Sequence, residues 1–216
     1  MRKVLLFFAL MAASLSGRAQ SAYCASFGDY QSGAWISLDT LRMTLRSTGD
    51  IVWSGGADYK PDTGDAKTDK LLKKKARVIQ HRDSLYVNCR GLKCKAMLFG
   101  NWYAPATVFD RDYILLVAKS LQAQESGHRS AVLFGAIGAA ISLSSNKDNY
   151  QCYVLYPATE VVEPVDRDMI EPLLQDHPTW LKQYQELDKR SAYSPDVVLP
   201  LLQKLGLIDT LPAVRK

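Results

Sequence analysis

Histidine is scarce in this chain: it occurs three times in 216 residues, at 81, 128 and 177. No two of them have the spacing of a helix-borne zinc pair, and no Cys-x-x-Cys occurs to replace them. The sequence also lacks a Gly-x-Ser-x-Gly elbow, a glycine-rich phosphate loop and a His-Glu-x-x-His motif. No cofactor and no metal are therefore expected, and the chain reads as non-catalytic. A hydrolase whose site assembles from residues distant in sequence remains the alternative that a motif search would miss.

Beyond residue 19 there is no large excess of charge of either sign. Met1 to Ala19 has the layout of an export signal. Arg2 and Lys3 form a positive start, Val4 to Ala13 an apolar middle, and Gly17-Arg18-Ala19 a small-residue cleavage site. Three of the 27 basic residues (Arg2, Lys3, Arg18) and none of the 22 acidic ones fall in that segment. The rest carries 24 basic against 22 acidic residues, a net charge of +2. Nucleic acid as a partner loses its compositional support. The expected destination is the periplasm, the outer membrane or the medium, and residues 20–216 suit a single domain.

What is present divides into three parts. Residues of about 30–157 are strand-like, those of about 166–206 helix-like, and an apolar, Gly-rich run, Ala131 to Leu143, is inserted in the first part. The expected class is α+β: an antiparallel, β-rich N-terminal two-thirds followed by C-terminal helices. Leu41, Met43 and Leu45 alternate with polar residues as in a half-buried strand, and Ile51-Val52-Trp53 follows the turn Ser47 to Asp50. Tyr113 to Ala118 is continuously apolar, as in a strand covered on both faces. Asp168 with Glu171, Pro178 and Ser194-Pro195-Asp196 mark helix starts, and Gly206 marks a helix end.

The run from 131 to 143 would span about 20 Å as a helix, too short to cross a bilayer alone. It reads as a covering helix, a packed or mobile loop, or a contact element. In the last case Phe134, Gly135, Gly138 and Ala139 would meet a membrane or a second copy through small-xxx-small spacing. A membrane-engaging protein is thus the competing functional class, and a homo-oligomer stays open. Lys67, Lys70, Lys73, Lys74, Lys75 and Arg77 form the densest basic cluster. Lys73, Lys74 and Lys75 are candidate anion contacts, although lysines also protect a strand edge. Asp58, Asp62, Asp65 and Asp69 do not match a calcium loop and read as solvated.

Four cysteines lie beyond the signal: Cys24, Cys89, Cys94 and Cys152. If Cys89 and Cys94 flank a four-residue hairpin loop they stand opposite each other and a disulfide can form. With a two-residue loop, Arg90-Gly91, they lie on a diagonal that is too long. Periodicity leaves both loops open.

Leu85-Tyr-Val-Asn-Cys-Arg-Gly-Leu92, Phe99-Gly-Asn-Trp-Tyr-Ala104, the Gly135-Ala-Ile-Gly-Ala139 run, a Tyr-rich strand and Leu173-Leu174 with Tyr184 occur in this order. Together they resemble a family of uncharacterised exported proteins of Bacteroidota, over about residues 30–190. The resemblance implies a bacterial envelope destination and carries no activity or catalytic residue. The leading expectation is a binding or scaffolding protein whose partner is an envelope protein or a membrane surface.

Overall fold

The computed structural model describes residues 21–120 and 150–214, apart from the side chains of Thr48, Val52 and Trp53. The proposed export signal and the run from 131 to 143, with Phe134, Gly135, Gly138 and Ala139, lie outside the described residues. Twelve described strands form one sheet. They are β1 (Ser21–Cys24), β2 (Ile36–Ser37), β3 (Arg42–Leu45), β4 (Tyr59–Asp62), β5 (Val78–His81), β6 (Ser84–Asn88), β7 (Lys93–Cys94), β8 (Met97–Leu98), β9 (Tyr103–Phe109), β10 (Tyr113–Lys119), β11 (Tyr150–Tyr156) and β12 (Val161–Pro164). The described helices are α1 (Phe27–Ser32), α2 (Thr48–Ser54), α3 (Ala66–Lys75), α4 (Arg167–Leu173), α5 (Pro178–Gln185), α6 (Lys189–Ala192) and α7 (Pro195–Lys204). Strand order is β2-β1-β5-β6-β9-β10-β11-β12-β7-β8, with β3 paired to β4 and β4 to β9. The architecture is the expected α+β one: the sheet is antiparallel but for one contact and is followed by α4 to α7, while α1 to α3 lie between its first strands.

Burial follows from which faces are covered. One face of the sheet gathers Cys24, Val78, Val87, Ala104, Ile114, Leu116, Leu155, Val162 and Cys94 into a single cluster with Phe27 of α1. Strands from both halves of the sheet order meet in that cluster, so the sheet curls around it. The opposite face is covered twice. Leu72 of α3 packs on Tyr23, Ile79, Tyr86 and Tyr103. Ile170, Tyr184, Val198 and Leu202 of the C-terminal helices pack on Leu115, Val117, Cys152 and Val154. That double cover is why β10 is apolar without interruption, and why Ile114, Leu115, Leu116 and Val117 are all buried. Each such aliphatic side chain contributes about 1.5–3 kcal/mol when fully buried.

Several local readings need correction. Ser47 accepts a hydrogen bond from the Asp50 N–H and caps α2, so 51–53 is helix and not strand. Asp65 accepts from the Thr68 N–H and caps α3, so the lysine-rich run is a helix and not a sheet edge. Its last turn holds Lys73, Lys74 and Lys75, where the helix dipole favours cations. Its terminal carbonyls find buried donors: the Asn88 Nδ2 donates to Ala76 O at 2.8 Å, and the Tyr103 hydroxyl to Leu72 O at 2.8 Å. At α4 the cap is Asp166, which accepts from the Met169 N–H, rather than Asp168.

The expected hairpin between Cys89 and Cys94 does not form, and neither does the disulfide. Strand β6 pairs with β5 and β9, and the Cys89 N–H donates to Trp102 O. The chain closes a tight turn at Leu92 and crosses to β12, where Lys93 pairs with Val161 in the only parallel contact of the described sheet. Cys94 then faces Met97. All four cysteines are free and buried.

Candidate functional site

A cleft of about 570 Å³ opens where the sheet edge meets α4. One wall is β12 itself, from Val161 to Pro164; Asp166, Asp168 and Met169 form the other, and Lys95 closes one side. The pairing register explains the opening. Strand β7 covers β12 only at Val161. The Val165 N–H donates to Cys152 O at 2.9 Å, so by the two-residue alternation Glu163 faces β11 with its main-chain groups. Val162 and Pro164 turn theirs away from β11. Proline has no N–H, so from the Val162 carbonyl onward that side, which no described strand covers, carries acceptors only, and the Val162 one is buried.

The side chains have the same polarity. One Glu163 oxygen accepts from the Tyr156 hydroxyl at 3.1 Å, and one Asp166 oxygen accepts from the Met169 N–H at 3.2 Å. The Asp168 carboxylate, also in the lining, is exposed. No salt bridge neutralises these three groups among the described residues. Lys95, held at φ +55° in the turn between β7 and β8, is the one cation of the lining. Val161, Val162 and Met169 add apolar surface, and Val161 is 46% exposed. Among the described residues no three His, Cys, Asp or Glu side chains gather closely enough to hold a metal ion.

A second junction lies at Trp102. The Lys73 Nζ sits 4.2 Å from the centre of its ring, and the Arg46 guanidinium 5.2 Å. Trp102 has φ +77°, an unusual conformation for a bulky residue. Arg46 is only 2% exposed. Its guanidinium donates to Gly55 O, Ala57 O, Asp50 O and the Ser54 hydroxyl, and burial holds its pKa below the ordinary arginine value. With those four donations made, Arg46 clamps the end of α2 and has little left for a ligand. Asp58 beside it is 3% exposed, and one of its oxygens has no hydrogen-bond partner among the described residues.

The three candidate anion contacts do not converge. Successive helix positions differ by about 100°, so Lys73, Lys74 and Lys75 point in three directions. Lys73 lies half-buried against Trp102, whereas Lys74 and Lys75 are exposed. Asp65 and Asp69 are not merely solvated: Asp65 caps α3, and Asp69 accepts from the Thr63 N–H and hydroxyl. Nucleophilic chemistry finds little support among the described thiols. Burial pushes Cys89 up to about 12, burial and the Asp29 charge push Cys24 up to about 12, and burial raises Cys94 and Cys152. Ser21 and His81 do meet, Oγ to Nδ1 at 2.8 Å, but they are facing residues at the end of the β1–β5 ladder and Ser21 is buried.

In the sequence Asp168 marks only a helix start, and Asp166, Glu163 and Lys95 belong to no recognisable motif. Glu163-Pro164 was the available signal, because proline inside a strand marks an unpaired edge.

A model of a family of unknown function, DUF6563, matches residues 22–209. No curated protein and no solved structure matches the chain.

Proposed function

For a chain that belongs to the DUF6563 family of unknown function, we propose the role of an exported, non-catalytic binding protein of the Bacteroidota cell envelope. The observation that carries this reading is the cleft along β12, where, among the described residues, the strand has no outer partner beyond Val161 and three carboxylates form no ion pair. The buried, protonated thiols also favour binding over catalysis. The layout of Met1 to Ala19 supports export. No described helix is long and apolar enough to cross a membrane, and the segment on which a membrane-engaging role would rest lies outside the described residues.

The test is a photo-crosslinking amino acid placed at position 163 in the full-length protein in cells, with position 82, in the exposed β5–β6 turn, as control. The expected result is a discrete adduct from 163, recovered in the envelope fraction and missing from 82. An adduct pattern at 163 no different from that at 82 rejects the binding reading. Recovery of the protein from the cytoplasm alone rejects export.

A further inference from the structure

We propose that the cleft beside β12 docks an extended peptide segment bearing lysine or arginine. This rests on the binding reading above and specifies its ligand class. Three features of the cleft converge on it. The first is polarity: Glu163, Asp166 and Asp168 supply carboxylate oxygens, against the single ammonium of Lys95. A ligand rich in hydrogen-bond donors and positive charge complements that lining; a phosphate or nucleic-acid backbone would be repelled. The second is spacing. Among the described residues no three carboxylates, histidines or cysteines gather closely enough for a metal ion. The negative charge is therefore spread along the groove, which suits charges carried on separate side chains of one chain.

The third feature is the edge itself. On the side away from β11, strand β12 has a partner at Val161 and, among the described residues, none along Val162 to Pro164. Val162 is 2% exposed, so an extended peptide lying there brings an N–H to the outward carbonyl of Pro164, a single rung of strand addition. Because Pro164 cannot donate, the edge gives only part of a ladder, and side chains must supply the rest. Val161 and Met169 offer apolar surface to the methylene stems of lysine or arginine while their charged heads reach the carboxylates.

The probe is a fluorescein-labelled peptide alternating valine and lysine, titrated into the mature protein and followed by anisotropy. Comparisons are the same peptide with glutamate for lysine, and unlabelled spermidine as a cation without a peptide backbone. The variant is Glu163→Gln with Asp168→Asn, both exposed positions; Asp166 is left intact because it caps α4. Each exposed charge contact is worth about two- to fivefold in affinity, so the double variant is expected to bind the lysine peptide about tenfold more weakly. Binding should also weaken as salt rises, and circular dichroism should show the variant folded. The inference is overturned if the glutamate peptide binds as well, if the double variant binds unchanged, or if spermidine displaces the peptide at equal concentration. An adduct from position 163 in cells, with no binding of the lysine peptide, overturns the ligand class alone and leaves the binding reading standing.

Discussion

The Arg77 guanidinium lies 3.3 Å from the Glu160 carboxylate, across 83 residues of sequence. Arg77 immediately precedes β5, and Glu160 sits in the turn that enters β12. The same guanidinium donates to Arg90 O and lies 5.7 Å from the centre of the Phe27 ring. One side chain thus ties β5, the β6–β7 connection and the β11–β12 hairpin where the curled sheet draws together.

The two partners of that tie should not be equivalent. Glu160 is half-exposed, and removing its charge by Glu160→Gln is expected to cost no more than about 0.5 kcal/mol and nothing at molar salt. Arg77→Ala also strips a charged donor from Arg90 O and packing from Phe27, and should cost about 2 kcal/mol at any salt concentration. Urea denaturation at low and high salt reads both values.

Arg46 is a buried cation whose hydrogen bonds go to main-chain oxygens and one hydroxyl. Arg46→Ala leaves those carbonyls without donors, and at about 1–3 kcal/mol for each buried one the loss should reach about 3 kcal/mol or more. Arg46→Lys should recover less than half, because one ammonium cannot imitate the fork that reaches Gly55, Ala57 and Asp50 together. A thermal melt that shows Arg46→Lys fully stable would reject the clamp.

Gly56 touches the loop before Trp102 more closely than any side chain could. A Cβ there would lie 2.1 Å from Asn101 O, at φ +84°. Gly33, at φ +72°, would meet nothing within 4 Å. Gly33→Ala should therefore cost only the left-handed backbone penalty of about 1–2 kcal/mol. Gly56→Ala should cost clearly more, about 3 kcal/mol or above, because main chain must move. Equal losses for the two variants in chemical denaturation would contradict the described contact.

The thiols give a pH dependence with a definite sign. Burial raises Cys89 from its ordinary value of 9.0 to about 12 in the folded chain. Above pH 9 the unfolded thiol ionises while the folded one keeps its proton, so the unfolded state gains. The contribution of Cys89 is full below pH 9 and falls by about 1.4 kcal/mol per pH unit as pH rises towards 12. Cys89→Ala should show a shallower alkaline decline in denaturant titrations. In the same preparations, iodoacetamide at pH 8 should label none of the four cysteines in the folded protein and all four after unfolding without reductant.

Patterns of one period along one element were legible before the fold. The Tyr113 to Ala118 run and the helix starts at Pro178 and Ser194-Pro195 are local, and the structure has them as expected. The lysine-rich run was harder: its charges obscure an apolar face reduced to Leu72, and a single capping bond from Asp65 settles the matter. Met43 and Leu45 followed a strand period, but Leu45 is 46% exposed while Arg46 is buried, because the clamp on α2 overrides the alternation. The cleft was least legible. It depends on β12 lying beside β7 and ahead of α4, a long-range placement that no local period records.

The pairing of Lys93 with Val161 also sets an order in time. Roughly 70 residues separate the two, so the β7–β8 pair joins the rest of the sheet only once β12 has formed on β11. Closing so long a loop comes late for entropic reasons, after the nearer pairings of β5, β6, β9 and β10. In pulse-labelled hydrogen exchange during refolding, the Lys93 amide should gain protection after those of Val87 and Leu115. The cleft beside β12 would then be the last part of the molecule to take shape, and a chain halted short of that step would have its sheet but not its groove.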